Sequence, residues 1–283
     1  MALLTHKKPA PPLSDFVDLL WLYEGCDTAH NKERLLPDGT VELVINLRED
    51  RIPIYDPHNT KHFHTIAGCV VSGPRSEFFV IDTASAASTV GVHFKPGGAF
   101  PFFREPPCEL NNQTVALECL WGAASARLRE RLLMAPTPQQ KFAVLEQCLL
   151  EQLAKPLERH PAVNFAIQKF RGTPHGPVSQ IVEAVGLSQR RFIQLFSNQV
   201  GLTPKLFCRV SRFQRVVRTV HPFHKINWAE MALDCGYYDQ AHFNHDFQEF
   251  AGITPMQYLE QKTPHVNHVP MGKLGQVITR RGT

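Results

Sequence analysis

Hydrophobic positions along the chain change rhythm near residue 115. Before it, apolar residues come in short runs or alternate with polar ones, the two-residue period of half-buried strands. After it, they recur three and four positions apart, as on helices with one buried face. Val41 to Leu47 follows a Pro37-Asp38-Gly39 turn, Glu77 to Ile81 is a short aromatic and β-branched run, and Ser88 to Phe94 alternates before the break at Lys95-Pro96-Gly97-Gly98. Residues 13–105 therefore read mainly as strands of a barrel or sandwich. Leu117 to Met134 and Gln139 to Leu153 read as helices separated by Pro136 and Pro138, the second with Phe142, Leu145, Leu149 and Leu153 on one face. That stripe is expected to be internal core, with a dimer seam as the alternative.

Farther on, one pattern is written twice. The run from Ile181, IVEAVGLSQRRFIQLFSNQVGLTPKLF, returns from Met231 as MALDCGYYDQAHFNHDFQEFAGITPMQY. With Gly186 set on Gly236 and one extra residue in the second turn, Phe192, Phe196, Gly201, Thr203 and Pro204 fall on Phe243, Phe247, Gly252, Thr254 and Pro255. In each copy an apolar helix ends at a glycine, and a second helix starts behind a capping residue, Ser188 or Asp239. A helix, a short glycine turn and a capped second helix make a helix-turn-helix, whose second helix enters the DNA major groove. Helical spacing buries Phe192, Leu195 and Phe196 and leaves Arg190, Ile193, Gln194 and Ser197 outward. In the second copy it buries Phe243, Phe247 and Phe250 and exposes Ala241, Asn244, His245 and Gln248. Arg and Gln carry the forked donors and acceptors that match guanine and adenine edges.

The paired motif, the GLSxRxF-like opening, the G-x-T-P ends at Gly201 to Pro204 and Gly252 to Pro255, and the run DQAHFNHDF from Asp239 to Phe247 resemble the AraC/XylS family of transcription regulators. The resemblance covers roughly Val163 to Gln261. It implies two helix-turn-helix units, at about 178–199 and 229–252, joined by a long helix and docked in successive major-groove segments. By position it assigns base reading to Gln189, Arg190, Ile193 and Gln194, and to Gln240, Ala241, His242, Asn244 and His245. Ile193 departs from the polar residue often found there, and could touch a thymine methyl group. Double-stranded DNA, RNA polymerase and a small-molecule effector at the N-terminal domain are the partners implied, with a homodimer as a further one. The PDGTVELVINL and HFKPGG stretches look like a poorly characterised sensor group within the family, a weaker match.

The joining helix is legible without the family. After Pro204, Leu206, Val210, Phe213, Val217 and Val220 form an apolar stripe, and Lys205, Arg209, Arg212, Arg215 and Arg218 gather opposite it, up to His221-Pro222. With Arg191 they make the candidate phosphate contacts. Charge sharpens this division. Residues 1–161 carry 16 Lys and Arg against 19 Asp and Glu, residues 162–283 carry 14 against 7, and the two parts sum to the 30 and 26 of the whole chain. No acid occurs from Ala184 to Ala229, and Lys225 extends the basic run. From Ile226 to Gln261 there is no Lys or Arg, while Asp246, Glu249 and four other acids are present. The first copy is thus expected to anchor on phosphate, and the second to read bases weakly, partly through His242 and His245, more strongly in mild acid because a free histidine titrates near pH ~6.5.

A length of 283 residues, 43% of them hydrophobic, suits two cores and excludes disordered and fibrous classes. No basic-then-apolar leader and no run of membrane-spanning length is seen, so a cytoplasmic protein is expected. Seven scattered cysteines without a C-x-x-C pair, among them Cys26, read as reduced thiols. His58, His62, His64 and His93 could form a metal site, but the carboxylate that a cupin pattern wants after His64 is missing, so loop histidines are preferred. No cofactor and no enzymatic activity are expected. A DNA-repair-linked regulator would need zinc-binding and reactive cysteines absent here, and a protein-interaction module using the paired motifs is the other alternative. The expected architecture is α+β: a β-rich, barrel- or cupin-like sensor or dimerisation domain over 1–161 with trailing helices, an all-α domain over 162–261, and a disordered tail over 262–283 ending in Arg280-Arg281.

Overall fold

In the computed structural model, residues 3–25, 32–172, 176, 178–220 and 226–271 are described. Strands β1 (Leu3–Lys7), β2 (Val17–Glu24), β4 (Glu42–Asn46), β7 (Cys69–Ser72), β9 (Ser88–Phe94) and β10 (Thr114–Ala116) form one sheet in the order β1-β2-β9-β4-β7-β10. All its pairs are antiparallel. The period-2 alternation works as expected in β2, where Val17, Leu20 and Leu22 point into the core. In β9, flanked on both edges by β2 and β4, burial is nearly continuous because both faces are covered. Gly91 lies at its centre for a steric reason: a Cβ there would sit 2.4 Å from the Trp21 ring. Strands β3 (Lys32–Leu35), β8 (Phe79–Asp82) and β11 (His268–Pro270) make a second sheet, and β5 (Arg51–Tyr55) pairs with β6 (Phe63–Ala67) as a hairpin. The chain is β-rich first and helical afterwards, the expected order.

The predicted helix from Leu117 to Met134 is in fact two, α1 (Leu117–Trp121) and α2 (Ala124–Met134), because Gly122 takes φ 55° and ends the first. Helix α3 (Pro138–Glu151) starts behind a Thr137–Gln140 capping box. Its Phe142, Leu145 and Leu149 are buried against the first sheet with Val90, Val92 and Phe94, so the stripe is core, whereas Leu153 lies beyond the helix end and is exposed.

The second core belongs to α4 (Pro161–Gly172), α5 (Val178–Val185), α6 (Gln189–Val200), α7 (Pro204–Thr219), α8 (Trp228–Asp234), α9 (Gln240–Ala251) and α10 (Pro255–Gln261). Three residues from the β-rich part, Leu36, Phe78 and Val80, are buried in the same cluster. The boundary in sequence is therefore not a boundary in packing. Of the tail expected to be disordered over 262–283, residues 272–283 lie outside the described residues, and the part before them departs from that expectation: β11 pairs antiparallel with β3, His268 opposite Leu35 and Pro270 opposite Glu33, so chain following the last helix is built into a sheet of the N-terminal part. The backbone donors and acceptors that disorder would leave to water are taken up by that ladder. Cys26, His221-Pro222, Lys225 and Arg280-Arg281 lie outside the described residues.

Candidate nucleic-acid interface

Each second helix is started by a capping side chain and stopped by a glycine. Ser188 accepts from the Arg191 amide at 3.4 Å, and Asp239 accepts from the His242 amide at 2.7 Å. Gly201 and Gly252 close the two helices in the left-handed region, with φ 94° and 66°. Two residues later Thr203 and Thr254 cap the next helix, each followed by a proline at its first position. The doubled G-x-T-P is thus a stop and a restart in four residues. It fixes the direction in which chain leaves each recognition helix.

Helix α7 is sandwiched between the two motifs. Phe207 packs on Phe196 of α6 with ring centroids 5.6 Å apart, and Phe213 packs on Phe247 of α9 at 5.2 Å. Phe192, Phe196, Phe243, Phe247 and Phe250 are wholly buried, while Leu195 is only half-buried at the rim of the core. Burying one face by aromatic packing forces the opposite face outward. Gln189, Arg190 and Gln194 are exposed, and with half-buried Ile193 they line one open concavity. On α9, Gln240, Ala241, His242, Asn244 and His245 are all exposed. Both sets are presented on continuous helical faces, and Ser197, expected outward, is half-buried.

The basic row on α7 is not one surface. Arg209, Arg212, Arg215 and Arg218 are spaced by three, and at 3.6 residues per turn each step falls about 60° short of a full turn, so Arg218 points about 180° away from Arg209. Arg209 turns toward α9: its Nε and Nη2 donate to Asp246 Oδ1 at 3.2 and 2.7 Å, and Nη2 donates to Glu249 Oε2 at 2.6 Å. Burial works against the Arg209 charge, but the hydrogen bonds and charges of Glu249 and Asp246 outweigh it and hold the guanidinium firmly protonated. Arg212 lies over the Tyr237 ring at 5.3 Å with Nη2 4.0 Å from Asp246 Oδ2. Arg215 and Arg218 instead face the N-terminal part across a cavity. Arg191 and Lys205, on the flanks of the first motif, are exposed and, among the described residues, without an ion-pair partner, as are Arg215 and Arg218 on α7.

Two acids of the second motif are likewise spoken for. Asp246 is 2% exposed, and His242 Nε2 and His245 Nδ1 lie 3.9 and 3.7 Å from the carboxylates of Asp246 and Glu249. Ligand atoms of His245, Asp246 and Glu249 come within 4.8 Å of one another, the one grouping of metal-ligand type among the described residues. Its carboxylates already carry the Arg209 bonds, so it is an ion-pair network by construction. No local pattern pairs these acids with Arg209, which is 37 residues away from Asp246.

Among the histidines, His64 sits on β6, and His58 and His62 sit in the loop before it, hydrogen-bonded through backbone atoms to the Asp56 turn. His93 is separate, on β9, with Nε2 3.4 Å from Asp38 and Nδ1 3.6 Å from Glu42. Burial pulls its pKa down, but the Glu42 carboxylate beside Nδ1 and the charge of Asp38 raise it to about 9. Burial also pushes the thiols of Cys148 and Cys208 up to about 11, so they stay protonated.

The first motif is docked on the N-terminal part. A Cβ on Gly201 would meet Pro74 at 2.3 Å, Cys108 donates to Asn198 at 3.5 Å, and Gly39 of the Pro37-Asp38-Gly39 turn abuts Leu202 and Val210. Gln214 of α7 donates to the Pro37 carbonyl at 2.9 Å and to Asn267 at 3.0 Å. Among the described residues no helix is long and apolar enough to cross a membrane.

Two stretches of the chain match known families. Residues 181–261 match the family described as helix-turn-helix domain, and residues 5–116 match a domain family of unknown function, DUF6597. A Haemophilus influenzae protein described as an uncharacterized HTH-type transcriptional regulator is 28% identical over 81 residues, 29% of this chain. The match spans about a quarter of that relative's length, 27%. Among solved structures, ToxT from Vibrio cholerae bound to (E)-4-(8-methylnaphthalen-1-yl)but-3-enoic acid superposes with a TM-score of 0.46 at 8% identity, covering 90% of this chain and 98% of that one. The xylose-binding transcription activator xylR gives 0.31 at 20% identity over 43% of this chain and 38% of that one.

Proposed function

Because its C-terminal domain is a helix-turn-helix domain of the AraC/XylS type, we propose that this chain is a sequence-specific transcription regulator that lays α6 and α9 into successive major-groove segments of double-stranded DNA. The observation that carries the reading is the exposure of Gln189, Arg190 and Gln194 on one face of a helix whose other face is locked by Phe192 and Phe196. A rigid helix of groove width with forked donors outward is what base-edge recognition requires. The 16 residues of α7 span roughly 24 Å, a length that with the flanking turns suits recognition helices set about one DNA turn of 34 Å apart.

In this reading Ile193 packs on a thymine methyl group, Gln240, Ala241, His242, Asn244 and His245 read the second segment, and Arg191 and Lys205 hold phosphates. Arg209 and Arg212 position α9 instead. Residues 1–161 are a sensor or dimerisation domain whose small-molecule ligand alters how the DNA-binding domain is held, and the chain works in the cytoplasm with RNA polymerase. Support for coupling comes from the shared core and from β11, which ties the end of one domain into a sheet of the other. The test is selection of bound fragments from random duplex DNA by the full chain, followed by retardation with Arg190→Ala. A selected motif whose preference relaxes at one position in that variant is expected. No retardation of any duplex at low salt overturns the reading.

A further inference from the structure

The two halves of the chain leave a cavity of about 300 Å3 between them. On the DNA-binding side its wall is Arg171 at the end of α4, with Arg215 and Arg218 one turn apart on α7. On the other side are Lys95, in the turn after β9, and the acidic pair Asp18 and Asp38 with His93. Phe94 and Phe207, both buried, supply an apolar floor.

The charges across this cavity do not balance. Asp38 is satisfied within its own domain: Oδ1 accepts from the Thr40 amide at 2.9 Å and from its hydroxyl at 2.8 Å, and Oδ2 faces His93. Glu42 on the other side of the His93 ring accepts from Trp21 Nε1 at 2.9 Å. That leaves one acid, Asp18, against Lys95, Arg171, Arg215 and Arg218. Among the described residues none of these four cations has a carboxylate within salt-bridge distance. Uncompensated like charges around a shared space repel, and they focus a positive field into it. The rotation of the arginine row along α7 is what brings this about, since Arg215 and Arg218 are turned off the side that engages α9.

We propose that this interdomain cavity is a binding site for a small polyanion bearing at least two carboxylate or phosphate groups, clasped by Arg171, Arg215 and Arg218 from the DNA-binding domain and by Lys95 from the N-terminal domain. Guanidinium forks match carboxylate and phosphate oxygens bidentately, and four cations on two walls call for more than one anionic group on the ligand. The volume is at the lower end of ligand sites, which sets the size to that of a tricarboxylate or a sugar phosphate. The site rests on the reading of residues 1–161 as a sensor, and it gives that sensor a chemical class of ligand and a place where the ligand touches both domains at once.

The experiment is calorimetric titration of the full chain with citrate, with glucose 6-phosphate and with inorganic phosphate, each at constant ionic strength against sodium chloride. Saturable binding of citrate or glucose 6-phosphate, at least tenfold tighter than inorganic phosphate, is expected, and the two titrations separate a carboxylate from a phosphate ligand. Arg215→Gln with Arg218→Gln should weaken it at least tenfold. Asp18→Asn, which removes the one opposing charge without touching the core, should tighten it about threefold. No saturable binding above chloride, or equal affinity in wild type and all variants, overturns the proposal. If the polyanion binds as described while DNA retardation is unchanged by it, the site stands and the sensor reading fails; if no duplex is retarded but the titration holds, the DNA-binding reading fails alone.

Discussion

Replacing Arg209 with methionine removes three hydrogen bonds and leaves the buried Asp246 carboxylate with no cation at hydrogen-bond distance. Asp246 is 2% exposed, and after the change its nearest cation is Arg212 at 4.0 Å, with the His242 imidazole 3.9 Å away. Stranding a buried acid in this way costs about 3 kcal/mol. Glu249, 44% exposed, adds only about 0.3 kcal/mol because water screens it. Urea unfolding followed by far-ultraviolet circular dichroism measures the total. The double variant Arg209→Met with Asp246→Leu should be less destabilised than the sum of its single variants by more than about 1 kcal/mol, since the second change removes the stranded charge. The same protein separates a positioning role from a phosphate contact. A lost phosphate contact flattens the slope of log affinity against log salt by about 0.9, whereas tilting α9 lowers DNA affinity with the slope intact. A cost below about 1 kcal/mol, additivity of the two changes, or a flattened slope would refute the account of Arg209 as the brace between α7 and α9.

Four further outcomes follow from the same geometry. Arg190→Ala and Gln194→Ala should each lose about 1–3 kcal/mol against the selected sequence with little change in salt slope, whereas Arg191→Ala and Lys205→Ala should each flatten the slope by about 0.9, as retardation at several salt concentrations will show. His93, raised to about 9 from an unfolded value near 6.5, contributes stability that is whole below pH ~6.5 and is lost as pH rises through ~9, so melting points should fall over that window by the equivalent of about 3 kcal/mol and flatten in His93→Gln. Gly201→Ala meets both a left-handed backbone and Pro74 at 2.3 Å, and should destabilise by more than the roughly 1–2 kcal/mol of the backbone term alone in thermal melts. Ending the chain at Gln261 removes β11 and the Asn267 partner of Gln214; a lower melting point is expected, and an unchanged one would sink the idea that the strand ties the domains together.

Much of the candidate site was legible in the chain itself. The caps Ser188 and Asp239, the stops at Gly201 and Gly252 and the buried phenylalanines are all set by local spacing, so the outward residues of α6 and α9 follow by counting. Local rules failed where a partner lay far along the sequence. Asp246 and Glu249 of the second motif meet Arg209 from 37 and 40 residues away, and the basic row on α7 divides because its drift of about 60° per step amounts to half a turn between Arg209 and Arg218.

The amino-acid order by itself determined the two helix-turn-helix units, their capped recognition helices and a β-rich domain before them, because hydrogen bonds within a turn and periodic burial act over a few residues. The tertiary structure alone decided what those elements do to one another. It set Arg209 against Asp246, put Arg215 and Arg218 across a cavity from Lys95, and laid chain beyond the last helix beside β3, so that a segment polar enough to pass for a tail became the third strand of a sheet. Long-range charge pairing and strand pairing depend on which surfaces meet when the cores close, and no local period records that.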